Sequence, residues 1–143
     1  MFGLLALLLA VAPPHFQAGH GWHVGAGTSW GWASTVPYRD CRDCIPPHRT
    51  LAHRPPGGTL IQLGNHRTER PPQARLGKWP PRIRAKDVHP GGAEGIPRHV
   101  GYAQWFIRSG KVEHYLWLWF GRVHPTRRQL ARANAELRTA GQG

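Results

Sequence analysis

The sequence predicts a small α+β unit: an antiparallel β-hairpin or small sheet with a C-terminal helix, preceded by a long irregular Pro/Arg-rich segment. Three observations carry that prediction. A block of large rings lies between Val100 and Val123, a helix-start signal lies at Thr126, and proline pairs recur between Arg39 and His99.

Residues 1–38 contain no Lys, Arg, Asp or Glu; every charged residue lies at Arg39 or later. Within the neutral part, Phe2–Ala12 is an apolar run of eleven residues, too short to span a bilayer and of the length of a signal-peptide core. Ala10-Val11-Ala12 fits a small-x-small cleavage pattern. Against that reading, no basic residue precedes the run and Pro13 would follow the cut. A buried helix is the other reading of residues 1–12. Export or membrane association follows from the first reading, a cytoplasmic location from the second.

Residues 13–99 form the irregular part. Pro13–Tyr38 is rich in Gly, His and Trp and has no long period, so it reads as a loop whose tryptophans tuck against the hairpin. Arg39–His99 carries Pro46-Pro47, Pro55-Pro56, Pro71-Pro72 and Pro80-Pro81, and each pair opposes helix and favours extended backbone. Thr59–Leu63 (TLIQL) reads as a short strand and Arg82–His89 (RIRAKDVH) as a weaker one. The rest has the composition of a segment that is disordered on its own.

Residues 100–143 hold the ordered unit. Tyr102–Arg108 and Val112–Val123 are aromatic and β-branched, and Ser109-Gly110-Lys111 between them is a turn signal. Alternation puts His114, Leu116, Leu118 and Phe120 on one face of the second strand and Tyr115, Trp117, Trp119 and Val123 on the other. Both faces are apolar and both need cover. The Leu116/Leu118/Phe120 face is expected to pack on the helix. The rings of Tyr115, Trp117 and Trp119 are expected to form a ladder, either a second core or a binding face. A short buried helix over Val112–Phe120 is the competing reading. Pro125–Ala140 is the C-terminal helix. Thr126-Arg127-Arg128-Gln129 fits a capping box, Leu130, Ala133 and Leu137 share one stripe, and Gly141 is a stop.

The chain has 143 residues and a formal net charge of +12, and sixteen of its nineteen basic residues are Arg. Such an excess favours an anionic polymer or surface, nucleic acid among them, because the guanidinium fork suits phosphate and stacks on rings. A GC-rich gene would also raise Arg over Lys, but it explains the scarcity of acids less well. Arg108, Lys111, Arg122, Arg127 and Arg128 on the hairpin and helix, with the rings of Trp117 and Trp119, are the candidate binding residues.

Cys41, Cys44, His48 and His53 give C-x2-C-x3-H-x4-H, two thiolates and two imidazoles able to hold a tetrahedral zinc ion. The spacing is similar to that of the nucleic-acid-binding zinc knuckle, C-x2-C-x4-H-x4-C. It departs by one residue before His48 and has His53 where the knuckle has Cys, so it assigns no family. A disulfide in an exported chain, or a pair of free thiols, are the alternatives. Zinc is the one cofactor the sequence suggests. Asp87 and His89 would share a face if Arg82–His89 were a strand, a weak acid/base signal. No glycine-rich phosphate loop, nucleophile elbow or H-E-x-x-H motif occurs, and only seven residues are acidic. Together these features favour a non-enzymatic binding protein for an anionic partner. An exported or membrane-associated assembly protein using the Trp-rich hairpin as an interface is the alternative. A zinc- or redox-dependent enzyme comes third.

Overall fold

The computed structural model describes residues 14–27, 30–39, 47–65, 76–93, 95–109 and 112–140. In chain order the elements are β1 (His23–Ala26), β2 (Trp30–Ser34), α1 (His48–Ala52), β3 (Thr59–Asn65), β4 (Leu76–Lys78), β5 (His89–Pro90), β6 (Gly101–Ser109), β7 (Val112–Phe120) and α2 (Arg127–Leu137). The strands form one mixed sheet in the order β1-β2-β3-β7-β6-β4, with β5 on the outer part of β6. All neighbours are antiparallel except β4 and β6, which run parallel.

The hairpin forms as its alternation predicts, except that the second strand ends at Phe120 and not at Val123, because the chain turns at Gly121 to meet the Pro55–Gly58 loop. Ser109 pairs with Val112 across the turn and the ladder runs to Gly101 opposite Phe120. The free side of β7 is then closed by β3, with Leu60 opposite Trp119 and Leu118 opposite Ile61. The short strand read at Thr59–Leu63 therefore becomes a central strand. It sits between the hairpin and the β1–β2 pair.

Two readings are corrected. Pro13–Tyr38 is not a loop: it supplies β1 and β2, which extend the sheet beyond β3. Glycines hid this pattern, and packing explains why they are there. A Cβ on Gly25 would fall 2.5 Å from the Trp32 ring, and one on Gly31 would fall 2.0 Å from the Pro14 carbonyl oxygen. Arg82–His89 is not a strand either. Ala85–Asp87 is a single 3-10 turn, and only His89–Pro90 pairs with β6.

Alternation along β7 divides the core in two. On one face Leu116, Leu118 and Phe120 join Ala33, Ile61, Leu63, Ala103 and Ile107 of neighbouring strands, and Ala133 and Leu137 of α2 cover them. On the other face Trp117 and Trp119 join Leu60, Val100 and Ile96, with Leu51 of α1 and the half-buried rings of Trp32, Tyr38, Tyr102 and Tyr115. Full burial of each Leu or Phe contributes about 1.5–3 kcal/mol, so neither face can be left uncovered. The Trp117 and Trp119 rings stack at 4.7 Å with planes 4° apart, and Tyr115 meets Trp117 edge-on at 5.4 Å. The ladder exists and lies inside the molecule. Polar cross-links tie it to neighbouring strands: Trp119 Nε1 donates to Gln62 Oε1 at 2.7 Å, Gln62 Nε2 donates to the Tyr38 hydroxyl at 3.4 Å, and Gln104 Nε2 donates to the Tyr115 hydroxyl.

Helix α2 starts as its sequence demands. Gln129 N donates to Thr126 Oγ1 at 3.1 Å and Thr126 N donates to Gln129 Oε1 at 2.9 Å, the two reciprocal bonds of a capping box. Among the described residues no helix is long and apolar enough to cross a membrane.

Candidate anion-binding site

The turn from β7 into α2 meets the loop Pro55–Gly58. Gly121 makes that meeting close: its N–H donates to the Gly58 carbonyl at 2.9 Å, and a Cβ there would lie 1.8 Å from the Pro55 carbonyl oxygen. Gln129, having capped the helix, reaches across and donates from Nε2 to the Pro56 carbonyl at 3.0 Å. The result is a shallow cleft of about 240 Å³ between loop and helix, lined by Gly57, Arg122, Thr126, Arg128, Gln129 and Arg132.

Three of those six residues are arginines, and among the described residues no carboxylate lines the cleft. Arg128 and Arg132 stand four apart on α2 and so share a face. Arg132 is fixed in place: its Nη2 donates to the His20 carbonyl at 2.8 Å and its guanidinium lies 5.5 Å from the centroid of the Trp22 ring. Arg122 and Arg128 are exposed and make no ion pair among the described residues. The first turn of α2 carries no acidic residue. The capping box satisfies the amide of Gln129 and leaves the positive end of the helix dipole beside the arginines. The arrangement is suited to hold an anion. Among the described lining residues the one hydroxyl is that of Thr126, whose oxygen accepts the cap bond from Gln129 N.

The cleft unites two of the residues singled out from sequence, Arg122 and Arg128. Arg127 is exposed on the same helical turn but lies outside the lining. Arg108 is paired across the hairpin with Glu113 at 3.0 Å, which offsets its charge locally. Lys111 lies outside the described residues. Trp117 is 6% exposed and Trp119 fully buried, so neither offers a free ring face. Of the metal set, Cys41 and Cys44 lie outside the described residues, as does the His48 side chain, while His53 is exposed at the end of α1. Among the described residues no three His, Cys, Asp or Glu side chains gather as a metal site would need. Asp87 does not face His89: it accepts from the Arg84 amide at 2.8 Å, and His89 lies against Tyr102 with ring centroids 5.9 Å apart.

Comparison of the chain with family models, curated proteins and solved structures gave no match. The site must therefore be read from its own chemistry. Arg132 and Gly57 were missed from sequence. The spacing of Arg132 from Arg128 on a recognisable helix was a usable signal. Gly57 had none, because its approach depends on a loop sixty-odd residues away in the chain.

Proposed function

We propose that this protein binds an anionic partner, a polymer or surface bearing phosphate, sulfate or carboxylate groups, and does not act as an enzyme. The observation that carries this is the cleft beside the start of α2, lined by Arg122, Arg128 and Arg132 with no carboxylate among its described lining residues. A net charge of +12 would draw such a partner from a distance, and the cleft would seat one of its anionic groups. Trp117 and Trp119 are buried and contribute stability here, so the reading rests on the arginines.

Binding of full-length protein to inorganic polyphosphate, measured across a salt series, tests it. Affinity should fall steeply and linearly on a log–log plot, as expected for counterion release. The double variant Arg122→Gln/Arg128→Gln should reduce the slope by about two and weaken binding at every salt concentration. An affinity indifferent to salt, or a double variant that binds like the parent, would overturn the reading.

A further inference from the structure

A second basic cleft adds what the first lacks: an aromatic side chain in its lining. It has a volume of about 450 Å³ and is lined by Trp105, Pro80, Pro81, Lys78, Arg82 and Arg84, together with Gly77 and the carboxylate of Asp87. Trp105 is half-buried, one side of its indole packed on the core beneath α2. The opposite wall is fixed by secondary structure at both ends. β4 pairs with β6 through Lys78 opposite Arg108, and Trp79 N donates to the Arg108 carbonyl at 3.2 Å. Further on, Ile83 is buried and clamped to the helix: its N–H donates to Asn134 Oδ1 at 2.7 Å and its carbonyl accepts from Asn134 Nδ2 at 2.9 Å. With Ile83 turned inward, Arg82 and Arg84 on either side of it are turned out to solvent. Lys78 is exposed as well. Among the described lining residues the carboxylate is Asp87, which accepts from the amide of Arg84 and pairs with its guanidinium, Nε to Oδ2 at 3.6 Å. Lys78 and Arg82 make no ion pair among the described residues and leave the cleft positive.

A cleft whose lining combines an indole with guanidinium and ammonium groups is complementary to a flat ring attached to an anion. A nucleotide has both parts. Resting on the anion-binding reading above, we propose that the partner is single-stranded nucleic acid, with a base stacked on Trp105 and its flanking phosphates held by Lys78 and Arg82. The strand is single because in a duplex both faces of each base are already stacked on neighbours, whereas an unpaired base is free to take an aromatic platform. A polymer is proposed rather than a free nucleotide because a chain of linked phosphates can engage a second cationic cleft, the one lined by Arg128 and Arg132, as well as this one.

The test turns on two ligands of equal charge, a base-bearing strand and an abasic one. Full-length protein is titrated, at one salt concentration, with a labelled oligothymidylate, with an abasic oligonucleotide of the same length, with the corresponding duplex, with inorganic polyphosphate and with vesicles rich in anionic lipid. The base-bearing single strand should bind about tenfold more tightly than the abasic one, the ratio expected for one stacked base. Trp105→Leu keeps an apolar side chain against the core and removes the π-face. It should bring that ratio to within about twofold while leaving polyphosphate binding unchanged, and Trp105→Phe should retain most of the preference. Equal affinity of the parent for base-bearing and abasic strands overturns the proposal, whatever the variants do. So does tighter binding to duplex or vesicles than to the single strand. Polyphosphate binding without base preference overturns this inference and leaves the arginine-cleft reading standing, while failure to bind any polyanion overturns both.

Discussion

Two buried charges are the residues where this chain departs furthest from an ordinary core. Glu136, the only acid on α2, is 5% exposed, and its Oε1 finds no hydrogen-bond partner among the described residues. Burial pushes its carboxyl up to about 6, partly opposed by hydrogen bonding from Thr139 and by the charge of Arg132. A carboxyl raised in the folded state binds its proton more tightly there than in the unfolded chain. Stability is therefore highest below the ordinary value near 4.5 and declines as pH rises through about 6. Glu136→Gln should flatten the melting profile across that window and stabilise the protein at pH 7 by up to about 1 kcal/mol, after discounting for residual hydration. Thermal melts between pH 4 and pH 7 check it. Arg54 is the other case. It is 4% exposed, its Nη1 donates to Ser34 Oγ at 3.3 Å, and its Nε and Nη2 find no hydrogen-bond partner among the described residues. Burial lowers its guanidinium to about 10. A well-packed apolar side chain of similar length costs no desolvation, so Arg54→Met should raise stability by about 1–2 kcal/mol in a denaturant melt at pH 7.

Among the elements, those with local signals were legible and those defined by distant partners were not. The hairpin and α2 each announce themselves within a dozen residues, by alternation flanking Ser109-Gly110-Lys111 and by the Thr126…Gln129 spacing. The division of β7 into a leucine face and a tryptophan face was also legible, since it follows from strand geometry alone. What the alternation does not say is that both faces are covered, because Leu51, Ile96 and Tyr38 come from segments that sequence reads as irregular. The candidate site divides the same way: Arg122 and Arg128 were visible beside a recognisable helix start, whereas the loop that faces them was not. Thr126 joins the two halves of that argument, since its cap orients Gln129 and Gln129 holds Pro56. Thr126→Ala should cost about 1 kcal/mol, with Thr126→Ser recovering most of it. Denaturant midpoints that shift at constant slope would show the loss to be one of stability alone.

At the scale of the whole molecule, the hairpin and helix do not stand as a self-sufficient unit. Trp119 is covered by Leu60 and bonded to Gln62, both from β3, and Phe120 lies opposite Thr59. A fragment of residues 100–143 would expose that entire edge and half of one core. It should lack a cooperative thermal transition by circular dichroism, whereas the full chain should melt in a single step. The same pairing has a consequence for the order in which the protein can come into being. β3 leaves the ribosome long before β7, and an apolar strand, TLIQLGN, must wait for its partner while the chain from Asn65 to Val112 is made. At about 5–20 residues per second that wait lasts several seconds. During it one edge of β3 is an open template for any other extended chain nearby. Nascent copies on neighbouring ribosomes are therefore the strongest competitors for β3, and high expression should be met by inclusion bodies that slower synthesis does not cure.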